Sequence, residues 1–323
     1  MDVVFFAPHC FKYFGTVLAA MLLIGGTGDL KVGGAASAHL DSHGAKVWSP
    51  SRSTDNDYSQ VFVILRDWLQ AESSASSSEI ASKIDAYHEK AFEEEKQLPK
   101  EEKERVELDP DGCYGPLWEI WIAFIVIVEQ VPHNHVAQDK LVDVIKGLKG
   151  LTGRKVELEG ADLDVWKALP IFDSCIRDYY QPHLNTENAV SPEEAQKWRN
   201  VTSFVARCWK TGFFNASRQA LYLLRATLEQ PVKETLALEQ VLPIASEWIV
   251  HSRAALHETV QSTDSGEEIQ GQSAGTLYQG PNKLCVERWE FWKGRFEEVA
   301  GQLQGDIKEL ALHCASEMGS ISN

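Results

Sequence analysis

Among the residues of this chain whose types and spacing could do chemistry, His133, His135 and Asp139 come first. Two imidazoles two positions apart, with a carboxylate about one helical turn on, could ligate a metal ion. A turn leading into a helix N-terminus accounts for the same residues. No second ligand group and no HExxH pattern accompanies them, so no metal site is expected. His251 and His257 are too far apart to share one helical face simply and read as surface or packing residues. The run from Cys285 to Glu297, CVERWEFWKGRFE, alternates aromatic and ionic residues and offers Arg288, Lys293 and Arg295 as an anion or ligand site. Helical periodicity puts Trp289, Trp292 and Phe296 on a buried stripe. It leaves Arg288 and Arg295 to pair with Glu287, Glu290 and Glu298 outside that stripe, so core packing is the expected role.

Other chemistries fail on spacing. Asp162 and Asp164 lack the partners of an aspartate-rich magnesium helix, which argues against terpene cyclisation. Neither a Gly-x-Ser-x-Gly elbow nor a phosphate loop nor a kinase signature is present. Gly26 and Gly28 imitate a dinucleotide-binding turn, but position 31 is Lys where that motif needs glycine, and no βαβ unit follows. The cysteines, Cys10, Cys113, Cys175, Cys208, Cys285 and Cys314, are widely spaced and read as buried reduced thiols. Catalytic residues therefore stay unassigned, and no cofactor is expected.

The elements that would position any site are helical. With 44% hydrophobic residues, the 323-residue chain can build a substantial core. Its net charge of −16, from 47 acidic and 31 basic residues, repels nucleic acid and anionic lipid. An unknown protein or small molecule is the expected partner. Val61, Ile64, Leu65 and Trp68 mark a first helix, and Ser76 with Glu79 caps a second. The charge run from Glu93 reads as a solvated linker interrupted by Pro99. Leu117 to Val131 is apolar almost all round and predicts a central helix ending at Pro132. Leu141, Val142, Ile145 and Leu148 stripe the next one, which Gly147 and Gly150 close.

Residues 150 to 190 are less regular and predict short helices and packed loops. Ser191-Pro192-Glu193-Glu194 is a strong helix start, with serine as cap, proline at the first position and glutamate three residues after the cap. Leu221, Leu224 and Leu228, and then Val241, Ile244, Ala245, Trp248 and Ile249, mark two further helices. Residues 262 to 281 predict a long loop. The closing helices carry the tryptophan stripe and then Leu310, Leu312 and Cys314. The expected fold is all-α, an irregular multi-helix globular bundle with no solenoid repeat.

The first residues differ. Phe11 to Ile24 is an apolar run followed by glycines and by Ala36-Ser37-Ala38, which is read either as a secretory signal or anchor or as a poorly ordered extension outside the fold. Residues 41 to 57 read as a linker. The organisation expected is an extension over 1–56 and one all-α domain over 57–323. Two sequons, Asn200-Val-Thr202 and Asn215-Ala-Ser217, fall near or inside predicted helices. They favour an unglycosylated, cytoplasmic chain, with the secretory pathway as the alternative if residues 1–38 act as a signal.

The pieces PHNHVAQDKLVDVIKGLKGL, WKALPIF and CVERWEFWKGRFEEVA, taken in order, resemble a filamentous-fungal family known only as a domain of unknown function, number three-six-three-two. The likeness runs from roughly Tyr58 to Met318. It implies a fungal, mostly helical protein and brings no catalytic residues with it. Members sometimes lie beside secondary-metabolite genes, which implies an accessory role in such a pathway. The expected function is an intracellular helical binding or accessory protein, with an enzyme lacking any standard motif as the alternative.

Overall fold

The computed structural model describes residues 60–70, 73–99, 114–151, 154–158, 161–180, 191–232, 235–263 and 273–321. The N-terminal extension, the linker over 41–57, Cys10, Cys113 and much of the charge run and of the long loop lie outside these. The described chain is all-α apart from one two-stranded hairpin. The described residues divide into two compact units, those up to 130 with those of 147–178, and those of 131–146 with those from 179 on.

In the first unit, α1 (Gln60–Trp68) and α2 (Ser77–Lys96) pack with each other and with α3 (Tyr114–Gln130). Helix α2 begins in the predicted capping box: the Ser76 N–H donates to Glu79 at 2.6 Å and the Glu79 N–H donates to Ser76 Oγ at 3.2 Å. It also takes in the start of the charge run, ending at Lys96 before any linker begins. The α3 run that was apolar by sequence is a buried helix: Leu117, Ile120, Trp121, Phe124, Ile127 and Val128 are fully enclosed. Helix α4 (Ala137–Gly150) belongs to the second unit as far as residue 146; from Gly147 the first unit continues with antiparallel β1 (Lys155–Leu158) and β2 (Ala161–Asp164), then the short α5 (Val165–Ala168) and α6 (Phe172–Tyr180). Asp164, considered above for magnesium, instead caps α5 by accepting from the Lys167 N–H at 3.1 Å.

Gly147 does not close its helix, since α4 runs on to Gly150. A Cβ built there would sit 2.9 Å from Ala81 Cβ, so glycine is what lets α4 approach α2. Between α5 and α6, Leu169 and Ile171 both hold positive φ, at 48° and 68°. The carbonyl between them, on Pro170, accepts from the Trp121 indole at 2.9 Å.

The second unit is built on α7 (Pro192–Lys210), α8 (Ser217–Leu228), α9 (Thr235–Thr263), α10 (Val286–Ala300) and α11 (Gly305–Ile321). Helix α7 starts in the expected capping box with Pro192 at its head. Helix α9 packs on α7, α8 and α11, and α10 packs on α11. Helix α9 contains Pro243 and departs from helical geometry at Ser252 (φ −129°, ψ 19°), where the Ser252 hydroxyl donates to the Trp248 carbonyl at 2.9 Å. Trp198, Trp248, Trp289, Trp292 and Phe296 are enclosed as the periodicity predicts. Leu312 is an exception. It is exposed, and Ala311, Cys314, Ala315 and Met318 form the buried stripe of α11. The four cysteines among the described residues are buried and form no disulfide.

His88 on α2 has no exposed surface. Arg154 Nη1 lies 3.1 Å from its Nδ1, and a guanidinium can only donate, so Nδ1 is an acceptor and the ring is neutral. Burial, reinforced by Arg154, pushes His88 from its ordinary 6.5 down to about 4. The unfolded chain binds this proton more readily, so the stabilisation is whole above pH 6.5 and is lost as pH falls through 4. The expected loss at pH 4 is about 3 kcal/mol relative to pH 7. Urea unfolding at the two pH values measures it, and His88→Asn should remove most of the difference.

Candidate functional site

The second unit gathers its chemistry in two places, both centred on a buried carboxylate. The first forms where α8 ends. Glu229 and Arg288 each have 0% side-chain exposure, so neither charge can rely on water. Arg288 Nε donates to Glu229 Oε1 at 2.6 Å and Nη2 to Oε2 at 2.9 Å, a two-point pairing. The Trp292 indole donates to Oε1 at 2.7 Å and the Gly275 N–H to Oε2 at 2.7 Å. Two further guanidinium hydrogens reach the carbonyls of Ser273 at 3.0 Å and Lys283 at 3.2 Å. The cation also lies over the rings of Tyr278 (5.1 Å) and Trp292 (5.7 Å). A Cβ on Gly275 would fall 2.4 Å from Glu229 Cβ, so glycine alone lets the loop strand close over the pair.

This overturns the expectation that Arg288 sits outside the stripe with acidic neighbours. It is part of the core, and its partner stands 59 positions away. The residual signal in the sequence was an arginine one position before Trp289 in a helix tightly packed with aromatics. Arg295 does pair with Glu298, as expected, but it too is buried rather than outside the stripe, and it donates to the Leu228 carbonyl at 3.0 Å. Lys293 pairs with Glu290. The three cations therefore do not converge as an anion site.

The second cluster lies on α9, one turn from the Ser252 break. Glu247, 2% exposed, accepts from Arg199 Nε on α7 at 2.7 Å, and His251 Nε2 lies 3.1 Å from its other oxygen. Burial pushes the Glu247 carboxyl up, but His251 and Arg199 outweigh it and hold it below the ordinary carboxylate range. His251 is part of this grouping rather than only a packing residue. His257 does pack, with its ring 5.0 Å from Trp289.

His133, half buried, belongs to the same neighbourhood. Burial lowers its pKa and Arg199 lowers it further. The supposed metal ligands are otherwise engaged: Asp139 accepts from Arg207 Nε at 2.8 Å, and His135 Nδ1 accepts from the Ala137 N–H at 3.1 Å. Among the described residues no three His, Cys, Asp or Glu side chains converge as a ligand set. Two surface grooves lie elsewhere on these units. One of about 320 Å³ in the first unit is walled by Val63, Ile64, Trp68 and Ile80, and one of about 220 Å³ in the second by Trp209, Phe214 and Ala255, with Lys210 and Glu258 at its rim. Among the described residues no helix is long and apolar enough to cross a membrane.

Glu229→Leu leaves a buried guanidinium without its counter-charge and is expected to cost about 3–5 kcal/mol. Replacing both partners, Glu229→Leu with Arg288→Met, should recover a large part of that loss. Urea denaturation of the two variants beside the parent chain measures the difference.

No curated protein matches the chain, and neither does any solved structure. A family described as a protein of unknown function, DUF3632, matches residues 121–296, more than half of the 323. That span contains Trp121, both histidines of the 133–135 turn, Glu229, Glu247 and the whole Arg288 to Phe296 stretch, so on sequence the chain belongs to the DUF3632 family.

Proposed function

We propose that this chain is a helical binding or accessory protein of the cell interior, working through a protein or small-molecule partner rather than through a reaction of its own. The observation that carries the reading is how its most reactive groups are used. Glu229 accepts from four donors at once, and Arg154 and Glu247 hold the imidazoles of His88 and His251. A catalytic group needs a face turned to the reacting atom. What these units turn outward instead are grooves that mix apolar side chains with polar ones, Gln60, Asp67, Ser73 and Lys83 in the first and Lys210, Asn215, Glu258 and Thr259 in the second, surfaces of the mixed kind that partners cover. The acidic net charge supports a partner other than nucleic acid. The family likeness adds a natural-product pathway as the setting.

One observation favours the second reading, an enzyme without a standard motif. His251 stands 3.1 Å from the Glu247 carboxylate and keeps 20% of its side chain exposed, so an imidazole beside a carboxylate faces outward.

The purified full chain decides between them. Thermal-shift measurements against candidate intermediates and partner proteins should give a saturable rise in Tm, with mass spectrometry finding every small molecule unchanged. Turnover by the chain alone, abolished by His251→Gln, would replace the binding reading with the catalytic one.

A further inference from the structure

The turn between α3 and α4 is strapped to α7 through a single residue. The His133 N–H donates to Asn200 Oδ1 at 2.8 Å, and the His133 carbonyl accepts from Ser203 Oγ at 3.0 Å. Its Nδ1 faces Gln196 Nε2 at 3.4 Å. Residues 196, 200 and 203 lie four and three apart, on one face of α7. Gln138 adds a brace by donating to the Val131 carbonyl at 2.8 Å.

The directions of these hydrogen bonds are fixed. A backbone N–H can only donate, so the oxygen of the Asn200 amide must face His133. Gln196 Nε2 lies 2.7 Å from that same oxygen and must donate to it, which occupies both of its lone pairs. The amide nitrogen of Gln196 is then what faces the imidazole, and Nδ1 has to be the acceptor. The three groups close a ring that accepts a neutral His133 with its proton on Nε2. An imidazolium carries hydrogen on both nitrogens and sets donor against donor. Turning Gln196 over opposes two oxygens, and turning Asn200 over opposes the His133 N–H. The remaining escape is for Gln196, on the exposed side of α7, to swing into water and uncover the turn.

The surrounding charges act in the same sense. Arg199 and Arg207 from α7 and His251 from α9 disfavour a cation at His133, and Glu247 from α9 favours one. Asp139 of α4 is taken by Arg207, and His135 of the turn itself caps Ala137. We propose that the His133, Gln196 and Asn200 ring is an acid-sensitive clasp that fastens residues 131–136 to α7 and opens when His133 takes up a proton.

Residue-resolved amide hydrogen exchange on the full chain, expressed as protection factors between pH 7 and pH 5, tests this and separates it from the acid response of His88. Protection at residues 133–138 should fall about tenfold for each pH unit below the onset. In His133→Asn, whose Oδ1 supplies the acceptor but does not titrate, protection should stay level. Gln196→Glu gives the imidazolium an acceptor but sets a carboxylate oxygen against Asn200 Oδ1, so the turn should be less protected at pH 7, the His133 ring resonances should titrate at higher pH, and protection should no longer fall as His133 takes up its proton. Equal loss of protection in parent and His133→Asn would overturn the clasp. If the asparagine variant does not fold, the glutamate variant decides: an unmoved His133 titration, or a turn that opens all the same, overturns it too.

Discussion

A guanidinium and a carboxylate with no access to water impose strict terms on whatever surrounds them. Each hydrogen of the Arg288 fork and each lone pair of Glu229 needs a partner inside the protein, because an unmet one loses its hydration without recompense. In the second unit those partners come from the end of α8, the loop strand over 273–285 and the first turns of α10. The pair thus ties the end of α8 to a loop and the helix it leads into, 46 to 63 positions further along the chain. It also dictates a glycine at 275 and places two aromatic rings against the cation. An apolar contact of the same area would hold these segments together but would leave their relative rotation free. Directed hydrogen bonds do not.

The same logic recurs at lower stringency. Arg154 serves His88, with Asp85 and Glu89 3.4 and 3.3 Å from its other nitrogen, and the Trp166 indole donates to Asp85 at 2.7 Å. Glu247 holds Arg199 and His251. Polar groups of this chain work mostly as fasteners between elements. That is why isolated residues that look reactive in the sequence turn out to be engaged, and why the surfaces between them are better places to look for partners.

The sequence carried whatever was local. The boxes at Ser76 and Ser191, the helix of Leu117 to Val131 and the stripe of Trp289, Trp292 and Phe296 follow from spacing within a few residues, and spacing of that kind survives in any tertiary setting. What was hidden depended on distance. Nothing near Arg288 names Glu229 as its partner. Gly147 has the appearance of a stop signal and is in fact a place of close contact with Ala81, a residue in another helix. Asn200 begins a sequon, yet it is buried and its amide oxygen is taken by His133 and Gln196. Asn215 of the second sequon is exposed in the loop before α8, where its oxygen accepts from the Ser217 N–H at 2.9 Å. The hairpin of β1 and β2 is four residues a side, too short for its alternation to stand out from chance.

Leu169 and Ile171 raise a different matter. Left-handed backbone costs an ordinary side chain about 1–2 kcal/mol, and a β-branched one is rarely found there. Glycine would relieve both positions, yet Leu169 buries its side chain and the carbonyl between the two is gripped by Trp121. Left to its own preferences this tripeptide would extend, so its shape belongs to the assembled unit and not to the segment. The junction of α5 and α6 is therefore a readout of whether the core around Trp121 is intact: it can hold its form only as long as that indole is in place.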